Sequence, residues 1–265
     1  MYYNQAMESP SKELVELLRG SENTVALTGA GISKSAGIPT FRDLDDGLWL
    51  DRENLRWAHR QTYDKDPQEW YVKFWQLYGT MRAARPTPAH YALRDMVEAS
   101  VVHTVVTQNI DGLDLLAGTD ESNLLEVHGH DRVLSCTDLQ DCGYFIRTED
   151  WLLGSNHGDP VTCLRDDKPL KPDIMLFEDT GVPSDIERNF LKGQPIIDDA
   201  EVLLVIGTTL EIRAWNQAVR KFGDKDGKPV VAINPNTSRA DDYARFIIHH
   251  AADEVLPAIR DQVIG

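Results

Sequence analysis

Residues 24–43 read TVALTGAGISKSAGIPTFRD. Thr24 to Thr28 is short, rich in β-branched residues and apolar on both faces, as a strand covered by helices on either side must be. It runs directly into Gly29, Ala30 and Gly31. Glycine lets a ligand approach the backbone, and the free amides at the start of a following helix favour a phosphate. Gly29 and Gly31 match the first half of a dinucleotide fingerprint, but Lys34 stands where its third glycine would fall. Taken alone, the turn reads equally as a pyrophosphate cradle or as a tight strand-to-helix connection. The ending of the stretch, an aromatic, a cation and an acid at Phe41, Arg42 and Asp43, asks for a further explanation.

Three more runs share the character of the first: residues 101–107 (VVHTVVT), 202–207 (VLLVIG) and 230–234 (VVAIN). Each gives way to small or polar residues: GAGIS, QNIDG, TTLEI and PNTS. The pattern predicts an α/β fold, a parallel sheet with helices on both faces, whose ligand crevice lies beyond the carboxyl ends of the strands. A helix is expected from Ser9, with Pro10 in its first turn, through Leu14, Leu17 and Leu18 to Gly20. Thr87 caps another, with Pro88 at its first position and Ala89, Leu93, Met96 and Val97 facing inward. Between the first two strands, the Trp-rich segments predict helices of an aromatic module. Residues 130–172 hold all three cysteines and little periodicity, and read as a small irregular subdomain.

The 265 residues suffice for one large domain or for a main domain carrying a smaller one. With 27 basic and 43 acidic residues the net charge is −16, which repels nucleic-acid phosphates and anionic lipid and favours basic partners such as lysine-bearing peptides. No apolar run approaches the roughly 20 residues that span a bilayer, and MYYNQAMESP lacks the basic flank and apolar core of a signal peptide, so a cytoplasmic protein is expected. An odd count of three cysteines argues against a disulfide framework.

GAGISKSAGIPTFRD (29–43), TQNIDGLD (107–114), EVHG (126–129), KPDIMLFED (171–179), VIGTTL (205–210) and AINPNTS (232–238) follow one another in the order and spacing of the sirtuin family. The chain resembles that family over most of its length. The resemblance implies a Rossmann-like NAD-binding domain from residues 1–43, 85–129 and 173–265. A smaller domain would combine a helical module (44–84) with a zinc-type module (130–172). The implied activity is NAD-dependent removal of an acyl group from lysine in a protein or peptide, giving nicotinamide, O-acyl-ADP-ribose and free lysine. An ADP-ribosyltransferase or NAD hydrolase on the same fold is the alternative.

The same resemblance implies the site. Gly29, Ala30 and Gly31 would line the phosphates, with Gly207, Thr208 and Thr209 donating from the third loop and Asn234 on the adenosine side. Gln108 and Asn109 would hold the ribose and an ordered water, and Ile110 and Asp111 would grip the carboxamide. His128 would be the general base for a ribose hydroxyl, Phe41 would cover the ribose, and Arg42 would reach the phosphates. Asp43 could cap the following helix or brace Arg42.

Sirtuins typically hold a structural zinc on two Cys-x-x-Cys pairs. Here Cys136 and Cys142 are separated by five residues, and Asp166 stands where Cys163 would find its partner. A Cys3Asp zinc site is chemically sound, with His157, His130 or Asp167 as other fourth ligands, and so is a site without metal whose cysteines are buried as apolar side chains. The sequence leaves both open. The peptide-pairing loop also departs from the family, with Phe177, Glu178 and Asp179 in place of Phe-Gly-Glu. Trp75 and Tyr78 occupy the stretch where succinyl-preferring sirtuins carry a Tyr and an Arg, so an acidic acyl group is not expected.

Overall fold

The four apolar runs become strands of one sheet. The computed structural model describes residues 9–40, 52–138, 142–154, 159–179 and 183–265. It forms β1 (Thr24–Thr28), β2 (Thr104–Thr107) and β3 (Leu124–Glu126), then β4 (Gly129–Cys136), β5 (Phe145–Arg147) and β6 (Leu170–Ile174), then β7 (Val202–Ile206), β8 (Val230–Ile233) and β9 (Phe246–Ile248). The main sheet is six-stranded and parallel, in the order β3-β2-β1-β7-β8-β9. Numbered within that sheet, the order is that of a doubly wound dinucleotide-binding fold, and it reverses between β1 and β7.

Helices cover both faces, which is why every residue of β1, β7 and β8 is buried. On one side Ala26, Leu204 and Val231 pack against Leu14 and Leu18 of α1 (Lys12–Gly20), Leu93 and Met96 of α5 (Pro88–Glu98) and Leu256 of α10 (Ala252–Ile264). On the other, Val25, Leu27 and Val205 meet Ile197 of α8 (Ser184–Asp199) and Trp215 and Val219 of α9 (Arg213–Arg220). The remaining helices are α2 (Arg52–Trp57), α3 (Arg60–Lys65), α4 (Pro67–Ala83), α6 (Leu113–Ala117) and α7 (Thr148–Gly154).

Two element starts differ from expectation. α1 begins at Lys12, because the Ser11 hydroxyl accepts from the Leu14 N–H at 3.2 Å and so caps the helix two residues later than Ser9. β2 begins at Thr104 because the Val101 and Val102 amides both donate to the Met96 carbonyl and close the end of α5. The expected start of α5 holds: Thr87 and His90 form a reciprocal capping box, with Pro88 at the first turn.

Both insertions share one apolar core. Trp70, Tyr71, Phe74, Tyr78 and Met81 of α4 pack with Leu134, Cys136, Cys142, Trp151, Cys163 and Leu170. The Tyr63 and Tyr71 hydroxyls donate to the Leu170 carbonyl at 2.8 and 2.5 Å. The segment expected to be irregular holds an antiparallel sheet, β5-β4-β6. Its pattern was hidden because β4 buries Asp131 at an inward position, while β5 presents no buried side chain.

Candidate active site

At the point where the strand order reverses, the loops after β1 and β7 touch. The Gly31 N–H donates to the Gly207 carbonyl at 2.8 Å, and Gly207 is in the left-handed region at φ 61°. A Cβ on Gly31 would lie 2.7 Å from the Gly207 Cα, and one on Gly207 would lie 2.6 Å from the Ile32 nitrogen. The glycines therefore serve loop packing as well as the approach of a ligand. Beside them opens a cleft of about 1340 Å³. Gly29, Ala30, Gly31, Gln108, Asn109, Ile110, His128, Gly207, Thr208, Thr209 and Asn234 all line it, so one space joins the four loops expected to converge. Phe41, Arg42 and Asp43 lie outside the described residues.

The loop after β2 is fixed by its own side chains. Gln108 donates through Nε2 to the Thr28 carbonyl and the Thr208 hydroxyl, each at 3.2 Å. Asn109, buried, donates through Nδ2 to the Gly29 carbonyl at 3.2 Å and the Ser33 hydroxyl at 3.4 Å. Ser33 in turn donates to Asp111 Oδ2 at 2.8 Å, and the other carboxylate oxygen accepts from the Leu113 N–H at 2.9 Å. Burial pushes the Asp111 carboxyl up, against those two hydrogen bonds, and Glu126 adds to the rise. Ser33 lies inside the first motif, but nothing local to it signals this link to Asp111.

His128 sits after β3, its Nδ1 2.9 Å from the Gln108 carbonyl and its Nε2 3.1 Å from Trp215 Nε1. An indole nitrogen only donates, so Nε2 is the acceptor and Nδ1 carries the proton that Gln108 accepts. Burial lowers the His128 pKa to about 4, partly offset by the Gln108 carbonyl. The ring is thus neutral at physiological pH, as a base must be. Trp215 is a site residue that sequence reasoning missed. On the rim, Asp179 is buried between Arg60 at 2.8 Å and Lys171 at 3.0 Å, and the Phe177 carbonyl accepts from the Arg60 N–H, which fixes the loop after β6 against α3.

Asp114 lies beneath Asp111, fully buried, with Oδ1 lacking a partner. Its pKa is pushed up to about 7, first by burial and then by Asp111 and Glu126, against a hydrogen bond with Thr107. The folded state then binds this proton more tightly than the unfolded chain, so stability falls as pH rises from 3.8 towards about 7. Asp114→Asn is expected to stabilise the protein by about 2–4 kcal/mol at pH 8 and to flatten the dependence of Tm on pH. Thermal unfolding of both proteins between pH 5 and 8 checks this, and parallel Tm curves would refute it.

Away from the cleft, the sulfurs of Cys136, Cys142 and Cys163 and a carboxylate oxygen of Asp166 lie within 4.8 Å of one another. Cys142 and Cys163 are 3.3 Å apart, and Cys136 is 3.5 Å from Asp166 Oδ2. Ligands of one tetrahedral zinc lie about 3.3–3.8 Å apart, so this donor set fits that ion. The Asp138 and Arg165 amides point at the Cys136 and Cys163 sulfurs at 3.4 Å, as they would to support thiolates. His130 and Asp167 are not in the cluster, and His157 lies outside the described residues.

A sequence profile described as the Sir2 family matches residues 29–214, most of the chain and all of the cleft's loops except the one after β8. The chain belongs to the Sir2 family. Among its relatives, an NAD-dependent protein deacylase of Pyrococcus abyssi is 30% identical over 95% of this chain and 97% of its own. The NAD-dependent protein deacetylase 1 of Pyrobaculum aerophilum is 32% identical over 96% and 94%. Among solved structures, a Sir2 homologue variant in complex with ADP-ribose superposes with a TM-score of 0.83 at 26% identity, covering 96% of this chain and 97% of that one. A Sir2 homologue–NAD complex superposes at 0.78 and 27%, over 98% and 96%. As a member of the Sir2 family the chain takes NAD as its co-substrate.

Proposed function

We propose that this chain is an NAD-dependent protein-lysine deacylase that converts NAD, water and an acyl-lysine protein or peptide into nicotinamide, O-acyl-ADP-ribose and free lysine. The observation that carries the reading is the convergence of Asn109 and the neutral His128 on one cleft at the strand-order reversal, with Asn109 tied to the Ser33–Asp111 pair. NAD supplies, when bound, a ribose carbon activated by the departure of nicotinamide. The chain's own residues bind, orient and move one proton. Gly29, Ala30, Gly31, Gly207, Thr208 and Thr209 hold the phosphate end, and Asn234 the adenosine side. Gln108 and Asn109 orient the ribose, while Ile110 and Asp111 hold the carboxamide. His128 takes a ribose hydroxyl proton at Nε2. Phe41 and Arg42 keep the roles that their motif gives them.

The peptide lies between residues 177–179 and 209–215, where main-chain pairing holds an extended segment. The nucleotide domain comprises residues 1–43, 85–129 and 173–265, and the modules at 44–84 and 130–172 form the smaller one. A cytoplasmic location is part of the reading; among the described residues no helix is long and apolar enough to cross a membrane. Incubation with NAD and an acetyl-lysine peptide is expected to give equal amounts of deacetylated peptide and O-acetyl-ADP-ribose by mass spectrometry. Free ADP-ribose or ADP-ribosylated protein without deacetylation would contradict it.

A structural zinc on Cys136, Cys142, Cys163 and Asp166 clamps the small domain and takes no part in the chemistry. Elemental analysis is expected to find about one zinc per chain. Asp166→Ala is expected to surrender it to a chelator at least about tenfold faster. Folded protein without metal would refute the assignment.

A further inference from the structure

α9 and α8 carry a pair of residues that their own helices do not explain. Trp215, 1% exposed, projects from α9 to put its indole nitrogen 3.1 Å from His128 Nε2. The rear of the same ring lies on Gly193, in the interior of α8. A Cβ there would come within 2.6 Å of Trp215 Cη2 and 2.9 Å of Cζ3. Glycine in a helix interior costs about 1 kcal/mol relative to alanine, and here it makes room for the indole. Phe190 closes the side, edge-on to Trp215 with ring centroids 5.2 Å apart. The indole is therefore wedged from behind and aimed at one atom, the only lone pair on His128 that can accept a proton.

We propose that Trp215 is a positioning residue for the deacylation set out above, on which this inference rests: its N–H holds the Nε2 lone pair of His128 until a ribose hydroxyl displaces it and delivers its proton there. In that step the hydroxyl O–H bond breaks and an N–H bond forms at Nε2. The electron pair stays on the ribose oxygen, which bonds to the acyl carbon. His128 becomes an imidazolium whose Nδ1–H remains on the Gln108 carbonyl, and its Nε2 proton passes to the departing lysine nitrogen. Before substrate binds, the indole N–H stabilises the unprotonated ring and keeps its plane fixed, so the base is neutral and aligned when the hydroxyl arrives.

Among the described residues, the groups against the ring are Phe190 from α8, Trp215 from α9 and the Gln108 carbonyl from the loop after β2, none of them titratable. The nearest acid on its own segment, Glu126, is engaged by Arg132 through two hydrogen bonds at 2.7 and 2.5 Å. Removing the indole donor thus removes an interaction that only the neutral imidazole makes, and the sign follows: the acidic limb of kcat/KM must move to higher pH.

The test compares wild type, Trp215→Phe and His128→Ala, each with NAD and an acetyl-lysine peptide from pH 3.5 to 9. Trp215→Phe keeps an aromatic ring and loses the donor. It is expected to leave the KM for NAD within about twofold, lower kcat about tenfold and raise the acidic limb by about one pH unit. A limb that does not move overturns the proposal, because a purely structural role would lower kcat without changing its pH dependence. Should Trp215→Phe fail to fold, the wild-type indole N–H signal that His128→Ala displaces in a nitrogen–proton NMR spectrum is read instead. It is expected to shift when ADP-ribose is added, and a fixed signal overturns the displacement. Full turnover in His128→Ala would fail the base assignment itself, which is a separate result.

Discussion

Replacing His128 with alanine is expected to lower the rate of deacylation by about 10²–10⁴-fold while leaving the affinity for NAD within a few-fold of wild type. Gly31, Thr208 and Asn234, which the proposal assigns to the phosphate and adenosine ends, line the cleft from loops other than the one that carries His128. What is lost is an imidazole that is neutral at physiological pH and whose Nε2 accepts the Trp215 N–H until a ribose hydroxyl takes its place. The variant also leaves the Gln108 carbonyl and the Trp215 indole N–H without their partner, so its Tm is measured alongside. Calorimetric titration of NAD together with single-turnover kinetics separates the two effects. Turnover retained at a tenth of wild type or more would remove His128 from the chemistry.

The second large effect is structural and sits at the strand-order reversal. Gly207→Ala meets two obstacles at once: a left-handed backbone at φ 61° and a Cβ placed 2.6 Å from the Ile32 nitrogen and 2.9 Å from the Gly31 Cα. The first costs about 1–2 kcal/mol and the second about 1–3 kcal/mol, so a loss of about 3 kcal/mol is expected. NAD affinity falls with it, since the loops after β1 and β7 must part to make room. Gly37→Ala is the matched control. It has φ 83° but open space around the added atom, and is expected to cost only about 1–2 kcal/mol with little change in NAD affinity. Urea unfolding and NAD titration of both variants check the contrast. Equal losses would show that conformation, and not the contact between the loops, is what these glycines supply.

Much of this was legible in the chain because the signals were local. β1 is the run TVALT and nothing more, since a buried parallel strand needs apolar residues on both faces and glycine ends it. Asn109, Asp111 and His128 stand out in the sequence because their motifs lie close to the strand ends that present them. That Asp166 lies beside the three cysteines was legible from its offset of three residues from Cys163. What escaped was set by distant contacts. Ser33 reaches Asp111 across 78 positions, and Trp215 reaches His128 across 87. A tryptophan on an amphipathic helix reads as core, and no spacing rule says that its nitrogen turns towards a histidine. The start of β2 was misjudged for a similar reason, because Val101 and Val102 have strand-like side chains but give their amides to α5. The small sheet was missed because Asp131 is buried within β4, against the usual pattern.

Nicotinamide release from NAD, measured with and without an acetyl-lysine peptide, decides whether NAD is cleaved in the service of acyl-lysine removal. Release is expected to require the peptide, to match the lysine freed and to disappear in His128→Ala. Release at the same rate without peptide would contradict it and make the chain an NAD hydrolase or ADP-ribosyltransferase built on the same cleft.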